Sequence, residues 1–110
     1  MRAFIDSAES AGYPVLLGES TPRYLGAGAP YEKWFGPYED LIRLPAVKAA
    51  CYIDWDWAST TRWPTWGDCR VEAFPEATGN RWRTFAGNTS LMVGAMTEQK
   101  LRSELGLDPS

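Results

Sequence analysis

Two short apolar runs with one helical segment between them constrain this chain more than any other feature. The runs are "PVLLG", residues 14–18, and the start of "VKAACYIDWDW", residues 47–57. Between them Pro37 stands where a helix opens without needing its N–H, Tyr38, Leu41, Ile42 and Leu44 share one apolar face, and Pro45 ends the segment. A strand, a helix and a second strand at this spacing suit a parallel βαβ unit with a right-handed crossover. The first run is continuous and bounded by turn residues, which predicts a strand buried on both faces.

The flanking segments are read in the same way. Ala3, Phe4, Ala8 and Ala11 recur at helical spacing and Gly12 follows as a stop, so a helix is expected over the first dozen residues, starting abruptly with no cap before it. "STPRYLGAGAP" reads as a loop, and Tyr31 to Phe35 as one helical turn broken by Gly36. A tryptophan loop, "WASTTRWPTWGDCR", follows the second strand, and Pro75 is placed to open a helix in "PEATGNRWRTF". A glycine-interrupted apolar patch then leads to "TEQKLRSELG", a helix with Thr97 as N-cap and Gly106 as stop. The expected organisation is a βαβα part over residues 1–86 and an extension with one short helix over 87–110. No internal repeat or low-complexity tract stands out.

A chain of 110 residues with net charge -3 and 45% hydrophobic residues fits at most one domain with a modest core. Its 11 Lys and Arg form no basic stripe, which argues against a nucleic-acid binder. Residues 1–10 lack the apolar run of a signal peptide, and no segment approaches the roughly 18 apolar residues of a membrane span. Cys51 and Cys69 permit one disulfide but read first as free buried thiols, and a chain without histidine excludes the common zinc patterns. No metal and no cofactor is expected. Asn88-Thr89-Ser90 fits the glycosylation acceptor pattern, for which chance is the simpler account.

A two-stranded parallel sheet leaves faces and edges uncovered, and parallel sheets occur almost only in larger layered or closed architectures. A βα-barrel takes about 250 residues and eight strands. The expectation is therefore an α/β chain forming part of a (β/α)8 TIM barrel, with two βα units and parallel strands; the alternative is a small domain that hides its edges otherwise. Barrel active sites lie at the C-terminal strand ends, where Glu19 closes one run and Asp54, Trp55, Asp56 and Trp57 close the other. A carboxylate there suits a nucleophile or charge stabiliser, and neighbouring indoles give sugar rings a flat apolar floor. Strand alternation would put Asp54 and Asp56 on one face. Trp63 and Trp66, in the loop above, rank next as sugar contacts; Asp56 is a candidate for sugar hydroxyls, and Arg23 and Tyr24 lie within ligand reach. Trp34 and Trp82 read as packing residues. Asp68 is expected to order its turn, paired with Arg70 or Arg62.

"YPVLLGEST", "WFGPYEDLIRLPAVKAACYIDWDW", "WGDCRVEAFPE" and "RWR" together resemble the last two strands and final helix of (β/α)8-barrel retaining glycoside hydrolases of the cellulase and β-mannanase superfamily. The resemblance covers residues 1 to about 85. It implies that Glu19 is the nucleophile, that Trp55 or Trp57 floors the sugar subsite beside the cleaved bond, and that the ligand is a β-linked oligo- or polysaccharide. It also implies secretion, and a partner in the earlier strands of the barrel. The departure is large: the family's acid/base glutamate follows an asparagine on the fourth strand, and no Asn-Glu pair occurs here. The chain by itself is thus expected not to hydrolyse glycosides. Two other readings stand beside this one, a stand-alone carbohydrate-binding module and a small αβ interaction domain whose open edges a partner covers; the uncapped first helix favours the hydrolase.

Overall fold

The computed structural model describes residues 1–26, 28–88, 97–104 and 106. The apolar patch of residues 86–96 and the Asn88-Thr89-Ser90 acceptor fall largely outside them. Helix α1 spans Arg2–Ser10, strand β1 Val15–Ser20, helix α2 Phe35–Ile42, strand β2 Val47–Tyr52, helix α3 Glu76–Ala86 and helix α4 Glu98–Glu104. Short 3-10 turns cover Tyr31–Lys33, Trp57–Ser59, Pro64–Trp66 and Val71–Ala73. The mixed α/β class holds. Among the described residues no helix is long and apolar enough to cross a membrane.

β1 and β2 pair in parallel, with Val15 opposite Val47, Leu16 opposite Ala49, Leu17 opposite Ala50 and Ser20 opposite Tyr52. The expected parallel pairing is therefore present, with α2 between the two strands in the chain. The register slips twice, between Val15 and Leu16 and between Leu17 and Ser20. The second irregularity falls on Gly18 and Glu19, where it interrupts the strand's alternation just before its end.

Burial corrects one expectation directly. Val15 and Leu17 are buried while Leu16 is 66% exposed, so β1 is covered on one face and not on both. The reason is architectural: among the described residues the side chains packed with Val15 and Leu17 come from α1, α2, α3 and the 3-10 turns and form one core, whereas a continuous apolar run is satisfied on both faces only inside a larger assembly.

The core runs from Ile5 to Phe85 and includes Val15, Leu17, Tyr31, Phe35, Tyr38, Val71, Phe74 and Trp82. Phe35 is its hub, 5.2 Å from Trp34, 5.2 Å from Phe74 and 5.5 Å from Trp82, ring centroid to centroid. Trp34 and Trp82 thus pack as expected. α3 approaches the Val71–Ala73 turn closely enough that a Cβ on Gly79 would lie 3.3 Å from the Val71 carbonyl oxygen. A side chain at that position needs the turn to give by a few tenths of an ångström. In α1 the buried residue is Ile5, fully covered, while Phe4 is 66% exposed. The face expected from Ala3, Phe4, Ala8 and Ala11 is rotated, because one branched side chain seated in the core outweighs three small ones in apolar area.

Element ends also moved. α2 begins at Phe35, with Gly36 inside it and Pro37 at its third position. Proline fits there because none of the first four N–H groups of a helix has an intrahelical acceptor. Pro75 precedes α3 as its cap residue and not as its first helical residue. At α4 the Thr97 Oγ1 accepts the Lys100 N–H at 3.2 Å, and Gly106 has φ +70°, as cap and stop require. The described side chains of α4 from Glu98 to Ser103 are exposed.

Candidate functional site

β1 runs through Glu19 to Ser20, and β2 ends at Tyr52. Asp54, Trp55, Asp56 and Trp57 therefore lie beyond the strand, and the expectation that alternation sets Asp54 and Asp56 on one face does not apply. The chain turns instead. Cys69 N–H donates to the Trp55 carbonyl at 3.0 Å and Trp57 N–H to the Gly67 carbonyl at 3.1 Å, so residues 55–57 run antiparallel to 67–69. Gly67, at φ +86°, supplies a left-handed conformation near this reversal that other residues adopt only with strain.

Each aspartate then has its own role. Asp54 Oδ1 accepts the Val71 N–H at 2.6 Å, which ties the end of β2 to the turn before α3. Asp68 grips Arg70 through both carboxylate oxygens, at 2.9 and 2.6 Å, and that pairing holds its carboxyl below the usual range. The expected turn-ordering role is met, with Arg70 as partner. Asp56 Oδ1 is buried without a donor among the described residues. No sugar-facing geometry is required to explain Asp54 or Asp68.

The tryptophans divide. Trp57, Trp63 and Trp66 cluster with centroids 4.9–5.6 Å apart, and Trp63 and Trp66 are stacked at 16°. The Arg62 guanidinium lies 4.7 Å from the Trp63 ring and that of Arg23 lies 4.8 Å from the Trp66 ring. Trp55 makes no ring contact among the described residues and is 55% exposed, which leaves it the freest of the four indoles.

The cluster is anchored to the end of β1. Trp57 Nε1–H donates to Thr21 Oγ1 at 3.2 Å, and the Cys69 thiol, buried and pushed up in pKa by that burial, lies 3.8 Å from the Pro22 carbonyl oxygen. Tyr24 N–H donates to the Trp66 carbonyl at 3.1 Å. Tyr24 itself has φ +61°, a left-handed conformation that a bulky residue holds only at a cost of about 1–3 kcal/mol and that tends to gather at functional sites. It aims Arg23 across Trp66.

Beneath Arg23 opens a cavity of about 470 Å³ lined by Glu19, Ser20, Thr21, Arg23, Lys33, Trp34, Tyr38, Ile53 and Trp66, among others. Of the residues singled out from the sequence, Glu19, Arg23 and Trp66 meet here. Trp55, Trp57, Asp56 and Trp63 are not among its walls. Lys33, read from sequence only as part of one helical turn, and Trp34, read as a packing residue, enter the site because the 3-10 turn at Tyr31–Lys33 brings them over the end of β1. Only their place just ahead of a Pro-containing helix start hinted at this. Burial raises the Tyr38 hydroxyl above its ordinary pKa, so at this wall it stays a neutral donor.

No protein-family model matches this chain, and no curated protein matches it. Among the described residues no three Cys, Asp or Glu side chains converge as a metal site would require. Cys69 is buried but Cys51 is exposed, and both thiols are free.

Proposed function

We propose that this chain supplies the last two βα units of a (β/α)8-barrel retaining glycoside hydrolase, similar to the cellulases and β-mannanases, that acts on a β-linked polysaccharide. The observation that carries the reading is the meeting, at the C-terminal ends of two adjacent parallel strands, of Glu19 with an indole-rich loop held to β1 by the bond from Trp57 to Thr21. In a barrel this is the rim where chemistry is done. Glu19 acts as nucleophile: a carboxylate oxygen attacks the anomeric carbon, the bond to the leaving oxygen breaks, and water later releases the sugar from the ester. The leaving oxygen needs a proton from a second carboxylic acid, about 5–5.5 Å from the first. No Asn-Glu pair in this sequence offers it, so the acid belongs to an earlier strand and the 110 residues alone do not turn over. Trp66 and Trp34, in the cavity of Glu19, and Trp55 and Trp57, on the loop beside it, are the sugar-binding rings.

The test is covalent trapping on the protein that carries the preceding strands. A 2-deoxy-2-fluoroglycosyl fluoride should leave its sugar on the peptide containing Glu19, and Glu19→Gln should abolish both the adduct and polysaccharide hydrolysis, a loss of at least about 10³-fold in kcat. Labelling of another carboxylate, or normal turnover by the variant, would sink the proposal. An αβ interaction domain is the second reading, favoured by the exposed apolar face of Leu16, Phe4 and Tyr13 beside an edge of β1 that pairs with no further strand among the described residues. For that reading, sedimentation must find a defined complex of the chain without any saccharide.

A further inference from the structure

Three charged side chains line the cavity at the end of β1: the carboxylate of Glu19 and the cations of Arg23 and Lys33. None forms an ion pair, and none makes a side-chain hydrogen bond among the described residues, either with one another or with the rest of the chain. The other carboxylates near basic groups behave differently, as Glu39 with Arg43, Asp68 with Arg70 and Glu32 with Arg81 all pair within 4 Å. In an acidic chain, this wall carries two cations against one carboxylate, so the local sign is opposite to that of the whole. Arg23 is also held in place. Its guanidinium lies over Trp66 at 4.8 Å and near Tyr24 at 5.7 Å, on a backbone kept left-handed at Tyr24, and its N–H fork meets no acceptor among the described residues.

The geometry points to an acidic sugar as the ligand of this cavity: a uronic acid unit of a polysaccharide, its carboxylate held by Arg23 and Lys33. This deepens the proposed function and rests on reading the cavity as a saccharide site. A uronate fits each feature at once. Its carboxylate meets a planar guanidinium, which binds such groups through two parallel hydrogen bonds, and a lysine that adds a mobile charge. Its ring carries an apolar face for the indoles of Trp34 or Trp66. Its hydroxyls are donors for Glu19, whose carboxylate has no side-chain donor among the described residues. A neutral hexose engages the indoles and Glu19 but gives the two cations no counter-charge. The cavity, about 470 Å³, lies within the range of small-ligand pockets, roughly 300–1,000 Å³.

The experiment is a titration of the full 110-residue chain followed by tryptophan fluorescence, comparing oligoglucuronates and oligogalacturonates with neutral manno-, gluco- and xylo-oligosaccharides. Wild type, Arg23→Gln, Lys33→Gln and the double variant are compared at low and moderate salt. Both positions are exposed, so the folds should survive, and far-ultraviolet circular dichroism checks this. The expected result is saturation with acidic oligosaccharides, at least about tenfold tighter than with neutral ones, weakened about tenfold by either single variant and weakened by salt. Neutral sugars should bind all four proteins alike. If neutral sugars bind wild type as tightly as acidic ones, or if the double variant keeps acidic binding, the acidic specificity is overturned while a saccharide site remains. A flat response to every sugar overturns the specificity and the saccharide site together.

Discussion

The carboxylate of Asp54 shows how one residue can be rich in chemistry and still serve the fold. From sequence it stands in an Asp-Trp-Asp-Trp run at a strand end and invites a catalytic reading, yet its Oδ1 is occupied by the Val71 N–H at 2.6 Å. Removing an acceptor from a buried donor costs about 1–3 kcal/mol. Asp54→Ala is therefore expected to lower stability by about that amount in urea denaturation, and Asp54→Asn, which keeps an Oδ1 acceptor, to recover most of it. Equal losses in the two variants would mean that the charge matters and not the bond. Glu19 is the opposite case: it was legible from "GES" closing an apolar run, and it does line a cavity. What the run could not reveal is which rings stand beside it. Trp34 and Trp66 reach the cavity through loop geometry, whereas Trp55 and Trp57, nearer in the sequence pattern, turn onto the antiparallel segment.

At the scale of elements, α2 is tied to the turn before it by a charged network. The Tyr31 hydroxyl donates to Glu39 Oε2 at 2.6 Å, and Arg43 donates to Oε1 at 3.0 Å one helical turn on. Burial by itself would raise the Glu39 carboxyl, but the hydrogen bonds from Tyr31 and Arg43 outweigh it and hold the group below its ordinary value. Burial and the same carboxylate push the Tyr31 hydroxyl up, so it stays a donor throughout the accessible pH range. A carboxyl depressed in the folded state contributes stability that is fully present above its unfolded value, about 4.3, and is lost as pH falls through the folded one. Glu39→Gln should thus be less stable than wild type at pH 7, and the gap should close as pH falls below about 4 in guanidinium midpoints. A constant gap across that range would assign the contribution to packing. The helices themselves were largely readable, since proline, glycine and threonine mark their ends, but α1 was rotated because periodicity weighs residues equally and burial does not. The start of α2 was misplaced because Gly36 has room inside the helix, with Tyr31 no nearer than 3.7 Å to a Cβ there.

For the whole molecule the main physical fact is that, among the described residues, a two-stranded parallel sheet is covered on one side only. Leu16 on β1 is 66% exposed, with Tyr13 and Phe4 nearby at similar exposure around a second cavity of about 440 Å³. Contiguous apolar surface beside a free strand edge favours association. The isolated chain is expected to self-associate at tens of micromolar, and Leu16→Lys, which places a charge on that face without touching the core, to shift it toward monomer in sedimentation velocity. A wild-type chain that stays monomeric at these concentrations would mean that the face is stable in water as it is.

By itself the sequence determined the order of elements, the parallel crossover and the carboxylate at the end of the first strand, because each depends on neighbours within a few residues: apolar period, proline and glycine stops, a charge closing a run. Only the tertiary structure decided which strand face is covered, where β2 stops, and which cations and indoles surround Glu19. Those depend on contacts between residues such as Trp57 and Thr21, or Asp54 and Val71, that lie 36 and 17 positions apart. Local pattern carries no record of which distant loop will fold back over a strand end, since that is settled by packing shared among many side chains at once.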